Sequence, residues 1–142
     1  MVHVQQSIML DASASDVWGI IGNFDKMNDW HPAVLTTESE DTENGHQRAL
    51  SLLGGTKKLL ERLDELDSEK FTYSYTTIDG PLPVNNFTGQ ITIEPGEDEG
   101  CTVVWSGDFE PEGTTKEDAS AVIEGYFSTG LNGLKKQLAP KS

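Results

Sequence analysis

The sequence predicts an α+β domain in which an antiparallel sheet of about seven strands packs against one long C-terminal helix. Apolar and polar residues alternate near the N-terminus and again from residue 33 to about 110, where Gly, Pro and acidic turns interrupt them. A helical period appears only briefly after residue 12 and then throughout the C-terminal part. Consecutive strands joined by tight turns pair antiparallel, so the sheet is predicted to be antiparallel.

The composition indicates a single domain over residues 1–142. The chain is 35% hydrophobic and contains 14 glycines, which is typical of a globular protein of this length. Its 24 acidic residues exceed its 10 basic ones, giving a net charge of -14. Because phosphate binding needs a basic face, a nucleic-acid or anionic-membrane partner is disfavoured. Cys101 is the single cysteine, which excludes an internal disulfide and a cysteine-rich zinc site.

The N-terminal stretch predicts a strand followed by two short helices. "MVHVQQSIML" alternates, and it lacks the basic start and long apolar run of a signal peptide. No run approaches transmembrane length, so we expect a cytoplasmic protein without membrane insertion. Ser13 in "SASD" predicts a helix cap, and the helix should stop near Gly22. "DKMNDW" then allows at most one or two further turns before Pro32.

The "LLGGTK" stretch predicts a hairpin that sets the register of two strands. Gly54-Gly55 fits a two-residue loop that requires positive φ. The predicted opposite pairs are Leu53 with Thr56, Leu50 with Leu59, and Arg48 with Glu61. If their shared face is concave, Arg48 and Glu61 form a charged pair at a pocket wall, and Glu61→Gln should cost no more than about 1 to 3 kcal/mol of stability. The alternative is an ordinary cross-strand ion pair of little energetic weight.

Three further strands present aromatic and aliphatic side chains on one face and mostly Thr, Ser, Asn and Gln on the other. The apolar positions are Phe71, Tyr73 and Tyr75 in the first, Phe87, Gly89, Ile91 and Ile93 in the second, and Cys101, Val103, Trp105 and Phe109 in the third. This alternation is typical of an antiparallel sheet with one buried face.

The C-terminal helix is predicted to lie across that apolar face. A capping box runs from Thr114 to Glu117. The apolar stripe consists of Ala119, Val122, Ile123, Tyr126, Phe127, Gly130, Leu131, Leu134 and Leu138. A glycine lowers helix stability, so Gly130 in the middle of the stripe indicates that another group needs the space a side chain would fill. Close packing against a strand and space for a ligand are both consistent with that position.

The chain resembles the START-like superfamily known as SRPBCC, and within it the polyketide cyclase/dehydrase and lipid-transfer type. The matching features are "DVW", "DWHP", "RAL" and "ERL" flanking the first hairpin, "GPLPV", "FTGQITI" and "TVVWSGDF", and they cover essentially the whole chain. The resemblance implies a helix-grip fold, in which a curved sheet wraps around the long helix. It also implies a cavity between them that opens near the short helices and the "GPLPV" loop.

The expected function is binding of a small hydrophobic molecule, such as a lipid, a polyketide or an isoprenoid-like compound, in that cavity. Aromatic residues with polar tips suit such a pocket because the ring supplies apolar area while the tip orients a ligand. The expected ligand-binding residues are Phe24, Met27, Trp30, Arg48, Glu61, Tyr73, Tyr75, Phe87, Trp105, Tyr126, Phe127 and Gly130. No cofactor is expected, and the protein should be a monomer or a weak homodimer.

Two other function classes remain open. An enzyme of the cyclase/dehydratase kind needs a positioned acid or base, for which Glu61, Arg48, His31 and Tyr73 are the candidates. A regulatory module that binds another protein would instead have a filled interior and an exposed apolar patch. The three histidines have no metal-ligand spacing, so no metal site is expected.

The segment "FDKMNDWHP" is interpreted as one side of the pocket mouth rather than as a metal site or plain core. Phe24, Met27 and Trp30 recur at three-residue spacing and could close the mouth, after which Pro32 turns the chain into the next strand. His31 is interpreted as a rim residue, with a general base near neutral pH as the alternative.

Overall fold

Seven antiparallel strands form one curved sheet in a computed structural model that describes residues 1–55, 57–96 and 99–138. The strands are β1 Val2–Leu10, β2 Val34–Thr42, β3 Gly45–Leu52, β4 Leu59–Asp67, β5 Thr72–Asp79, β6 Val84–Pro95 and β7 Cys101–Pro111. Their order across the sheet is β1-β7-β6-β5-β4-β3-β2. The first and second strands are therefore the two edges, and the segment between them crosses one side of the sheet.

That crossing segment contains two short helices, as predicted. Helix α1 spans Ala14–Ile21, and Ser13 caps it by accepting a hydrogen bond from the amide of Asp16. A 3-10 helix follows at Phe24–Asp29. The segment kinks at Lys26, where the backbone is not helical, and Phe24, Met27 and Trp30 are nevertheless all buried.

The long helix α2, Lys116–Leu138, packs mainly against β1 and β7. Its buried residues are Ala119, Ile123, Phe127, Gly130, Leu131 and Leu134. Two details of the prediction are wrong. Val122 is 45% exposed because it lies at the edge of the stripe. The cap is Thr115 rather than Thr114, since the Thr115 hydroxyl accepts a hydrogen bond from the amide of Asp118.

The concave face of the sheet carries the predicted apolar residues. Phe87, Gly89, Ile91 and Ile93 of β6 and Cys101, Val103, Trp105 and Phe109 of β7 are all buried. Tyr73 and Tyr75 of β5 are 1% exposed. The core therefore lies between this face, α2 and the two short helices, and it is rich in aromatic rings.

The β3–β4 register is confirmed, although the connection differs from the predicted two-residue loop. Arg48 lies opposite Glu61, and Leu50 lies opposite Leu59. The amide of Gly55 donates to the carbonyl of Leu52, and Gly54 has a φ of +76°, so the chain turns at 52–55. β3 ends at Leu52 and β4 begins at Leu59, and the last pair in their register is Leu50 with Leu59. The predicted pair of Leu53 with Thr56 lies outside the described residues.

Candidate functional site

A buried ion pair joins β3 and β4 on the concave face of the sheet. Arg48 Nε donates a hydrogen bond of 2.8 Å to Oε1 of Glu61. Nη2 lies 2.7 Å from the same oxygen without the alignment of a hydrogen bond, so that contact is electrostatic. The side chains are 0% and 3% exposed. The pair therefore faces the protein interior rather than the outer surface of the sheet.

The 3-10 helix covers the guanidinium of Arg48. Nη1 donates a hydrogen bond of 2.9 Å to the carbonyl of Phe24, and the Phe24 ring centre lies 4.0 Å from the guanidinium carbon. The rings of Tyr73 and Tyr75 lie at 5.8 Å and 5.6 Å from that carbon. Aromatic faces stabilise a cation at such distances, so Arg48 is held between the sheet and the 3-10 helix, away from the protein surface.

All three tyrosines of the chain share the core with this pair. Burial raises the pKa of Tyr73, Tyr75 and Tyr126, and the negative charge of Glu61 adds to each rise. Tyr75 accepts a hydrogen bond of 2.9 Å from the indole nitrogen of Trp105. The three phenols therefore remain protonated at neutral pH, and each can present a hydroxyl group to a ligand.

Opposing effects set the protonation of the pair. Burial is the largest single effect on Arg48 and lowers its pKa, but the interactions with Glu61 and then with the three tyrosines together outweigh burial and raise that pKa. Burial raises the pKa of Glu61, and the guanidinium opposes this rise. Arg48 therefore keeps its charge at every accessible pH, whereas Glu61 is the member of the pair that can take up a proton.

His31 is a core residue, not the rim residue or near-neutral base expected from the sequence. It is 1% exposed, and burial lowers its pKa from 6.5 to about 4. Its Nε2–H donates to the carbonyl of Tyr126 at 2.9 Å, and Nδ1 accepts from the amide of Ala33 at 3.1 Å. Both ring nitrogens are occupied, so a neutral His31 fastens α2 to the chain before β2 and is a poor candidate for proton transfer.

Gly130 provides room for that contact. A Cβ atom at this position would lie 2.5 Å from Cδ2 of His31 and 3.0 Å from Cζ3 of Trp105. The His31 ring also stacks on the Tyr126 ring, with centroids 4.5 Å apart. Close packing therefore explains this glycine, and the space beside it is occupied by protein rather than left for a ligand.

The "FDKMNDWHP" segment is part of the core rather than the edge of a pocket mouth. Phe24, Met27 and Trp30 are no more than 4% exposed, because the 3-10 helix lies flat against the concave side. The Trp30 ring lies 5.6 Å from Trp105. Its indole nitrogen is buried and has no hydrogen-bond partner among the described residues. A buried donor of this kind is available to an acceptor on a ligand.

The remaining aromatic residues of the predicted site pack against one another. Trp105 stacks on Phe127 with centroids 4.3 Å apart, and Phe87 lies edge-on to Phe127 at 6.4 Å. Tyr75 lies 6.1 Å from both Tyr73 and Phe87. The structure therefore brings all twelve predicted ligand-binding residues into one core between the sheet and its helices.

A cleft of about 100 Å³ opens beside the "GPLPV" loop, where the family resemblance places the cavity mouth. It is lined by Thr77, Ile78, Asp79, Gly80, Leu82, Val84, Asn85, Asn86, Phe87 and Glu112. Thr77 lies opposite Glu61 in the β4–β5 pairing, and its buried hydroxyl has no hydrogen-bond partner among the described residues. Sequence reasoning missed Thr77, although its alternation with Tyr73 and Tyr75 indicates the concave face.

Metal-ligand clusters and membrane-spanning helices are both absent from the part of the chain that the structure describes. The described residues contain no group of three or more His, Cys, Asp or Glu side chains placed to bind a metal ion. None of the helices in the described ranges has the length and hydrophobicity needed to cross a bilayer. The polar groups described at the site are the Arg48–Glu61 pair, the three phenols, the Trp30 indole and the Thr77 hydroxyl.

Comparisons with known proteins agree with this architecture. The model of the family described as "Polyketide cyclase / dehydrase and lipid transport" matches residues 1–139. The protein XoxI from Bacillus cereus is 31% identical with a TM-score of 0.90, over 97% of this chain and 96% of that one. A protein from Bacillus thuringiensis is 30% identical with a TM-score of 0.89, over 96% and 98% of the two chains.

A third solved structure is more distant in sequence. The Zhui aromatase/cyclase from a Streptomyces species is 20% identical, with a TM-score of 0.80 over 96% of this chain and 93% of that one. At that identity the likeness shows the fold alone. The family model covers nearly the whole chain, and the described elements form the helix-grip arrangement. The chain therefore belongs to the polyketide cyclase/dehydrase and lipid transport family.

Proposed function

We propose that the protein binds a small hydrophobic molecule between its sheet and α2, with a polar group of that molecule directed at the buried cluster formed by Arg48, Glu61, Tyr73, Tyr75 and Tyr126. One observation carries the proposal, namely a fully buried charged pair surrounded by three protonated phenols inside an aromatic core. Ligand sites commonly combine apolar walls with a few polar groups in this way.

The cluster is difficult to explain by stability alone. A buried ion pair gains little over well-packed hydrophobic residues of similar volume, because desolvation offsets most of the attraction between the charges. Arg48 and Glu61 together are neutral, so the site suits an uncharged polar group better than an acid. The surrounding rings supply apolar area, and the phenols, the Trp30 indole and the Thr77 hydroxyl supply hydrogen bonds.

The cleft beside the "GPLPV" loop is the proposed route to the cluster. Thr77 lies in its wall and also opposite Glu61, so the cleft leads from the surface toward the ion pair. Its volume of about 100 Å³ is smaller than the ~300 to 1,000 Å³ of common ligand pockets. A ligand must therefore displace the loop around Leu82, or separate the aromatic rings behind it, as it binds.

A second candidate function is catalysis on such a ligand, of the cyclase/dehydratase type. The observation that favours it is the raised pKa of Glu61, which burial causes and which brings this carboxyl closer to the range useful for proton transfer. Tyr73 and Arg48 are its neighbours and could polarise a carbonyl group. His31 has no part in this candidate, since both of its ring nitrogens are occupied.

Native mass spectrometry of freshly purified protein tests the binding proposal. We expect a lipophilic adduct on the wild-type protein and a weaker one on the Arg48→Met, Glu61→Leu double variant, which lacks the charged pair. Titration with the neutral dye Nile red should change tryptophan fluorescence saturably, because Trp30 and Trp105 are in the core. Absence of both an adduct and a saturable change would refute the proposal.

The catalytic candidate is distinguished by the products. Incubation of a bound ligand with the wild-type protein should change the mass of that ligand if the protein is an enzyme. Glu61→Gln should then retain binding and lose the conversion. A ligand recovered unchanged under conditions in which it binds would leave the protein as a carrier.

A further inference from the structure

His46 lies between two carboxylates on the side of the molecule where the 3-10 helix meets the sheet. Its Nδ1 is 2.6 Å from Oδ1 of Asp41, and its Nε2 is 2.5 Å from Oδ1 of Asp25. Asp41 belongs to β2 and lies opposite His46 in the β2–β3 pairing, whereas Asp25 belongs to the 3-10 helix. The ring therefore joins the 3-10 helix to the sheet.

The geometry favours a doubly protonated ring. A neutral imidazole has one N–H group, so one of its nitrogens would direct a lone pair at a carboxylate oxygen. An imidazolium donates to both carboxylates. With both carboxylates ionised, the two contacts therefore favour the charged form of His46.

We propose that His46 is a pH-sensitive latch, which in its protonated form fastens the 3-10 helix over the buried cluster and on losing its proton releases that helix. Asp25 directly follows Phe24, whose carbonyl and ring cover the guanidinium of Arg48. The segment is also attached to the sheet by the hydrogen bond from Arg48 to the carbonyl of Phe24, by a hydrogen bond from the amide of Asn28 to the hydroxyl of Thr37, and by the burial of its apolar side chains. Release of Asp25 therefore weakens the cover of the cluster directly beside Arg48.

The other charged groups near His46 have partners of their own. Arg48, the next residue on the same face of β3, is paired with Glu61 beneath Phe24. Arg62 on β4 packs against Gly45 and donates to Asp64. The charges that face the ring are consequently Asp25 from the 3-10 helix and Asp41 from β2. Asp41 is 90% exposed and Asp25 43%, so water screens the first contact more strongly.

The direction of the pH effect follows from these contacts. The hydrogen bonds to Asp25 and then Asp41 raise the pKa of His46 above its ordinary value of 6.5. The latch is fully closed below that value and is lost as the pH rises through the raised pKa. One proton is released, so the equilibrium constant for opening increases by at most about tenfold per pH unit between the two values.

Amide hydrogen exchange measured by NMR tests this latch without any ligand. Protection factors, corrected for the intrinsic pH dependence of exchange, should fall for the amides of Asn28, Trp30 and His31 between about pH 6 and about pH 9. The amide of Ile91 in the centre of the sheet should not change. The ring of His46 should titrate above 6.5 in the same samples.

Variants separate the latch from other histidines. Asp25→Asn and His46→Gln should each abolish the pH dependence of these protection factors. His3→Gln is the matched control, because His3 makes a similar contact of 2.7 Å with Asp108 on strands far from the 3-10 helix, and it should leave that dependence intact. If protection is independent of pH in the wild-type protein, or if His46→Gln retains the dependence, the latch is refuted.

The link from the latch to ligand exchange rests on the proposed function. Nile red should dissociate from the wild-type protein faster at about pH 9 than at about pH 6. From the His46→Gln variant it should dissociate at the same rate at both pH values. If Nile red fails to bind at any pH while the protection factors change as expected, the proposed function fails and the latch stands. If protection does not change but Nile red binds, the latch is refuted and the proposed function stands.

Discussion

Replacing Glu61 by Gln removes the negative charge from the buried pair while keeping nearly the same shape. Arg48 cannot lose its proton, so the variant leaves a guanidinium in the core without a counter-charge. The Arg48 side chain is 0% exposed, and its polar contacts in the variant, such as the glutamine oxygen and the carbonyl of Phe24, carry no negative charge. The 3-10 helix must therefore move, or the variant must bear the cost of an uncompensated charge.

Loss of one partner from a buried pair costs about 3 to 5 kcal/mol. This cost exceeds the ~1 to 3 kcal/mol expected from the sequence for Glu61→Gln, because both side chains of the pair are buried. Arg48→Met should cost less at low pH, since Glu61 can take up a proton and become neutral. The Arg48→Met, Glu61→Leu double variant should lose much less than the sum of the two single changes, because no charge is left unpaired.

Urea unfolding followed by tryptophan fluorescence measures these differences, with the slope of the transition checked for two-state behaviour. Glu38→Gln is the matched control. Glu38 pairs with Lys58 at 2.9 Å, but both side chains are about half exposed or more, so no measurable change is expected. If Glu61→Gln is as neutral as this control, the pair is screened by water and the argument for a buried polar site is wrong.

Gly130→Ala should lower stability by about 1 to 3 kcal/mol, because the added methyl group would overlap the His31 ring. Gly125→Ala is the matched control: no atom lies within 4 Å of the added methyl group, so this change should raise stability by up to about 1 kcal/mol. A neutral Gly130→Ala would contradict the packing described for α2. Lowering the pH from 6.5 to about 4 should cost about 3 kcal/mol through His31, which is neutral when folded and takes up a proton when unfolded. The His31→Gln variant should lose that part of the acid sensitivity in the same urea titrations. Ser13→Ala should cost about 1 kcal/mol by removing the cap of α1, and an unchanged melting temperature would contradict it.

The fold could be predicted from the sequence because its signals are local. Alternation along β6 and β7 assigned Phe87, Ile91, Val103 and Trp105 to one face, and all four are buried. The register of Arg48 with Glu61 followed from residue counting across a glycine turn, and the structure reproduces it. That success did not depend on the turn itself, since the turn closes at 52–55 rather than at the predicted position, and the longer connection before Leu59 restores the predicted register.

The candidate site could be predicted only in part. The sequence assigned the tyrosines and Trp105 to one side of the sheet, but it gave no signal for the bond between Tyr75 and Trp105 or for the burial of His31. His31 looked like a rim residue because its neighbours include Asp29 and Pro32, which are typical of a surface turn. Its partners, Tyr126 and Trp105, are distant in sequence, and only the packing of α2 brings them to it.

The sequence by itself therefore determined the elements, their faces and the family, because periodicity, capping and turn residues act over a few neighbouring positions. Only the tertiary structure decided the environment of each polar group. The pKa of His31, the charge of His46 and the cost of breaking the Arg48–Glu61 pair depend on which distant atoms surround each group and how much water they exclude. Those quantities are set by the closure of the 3-10 helix and α2 over the sheet, which no local pattern records.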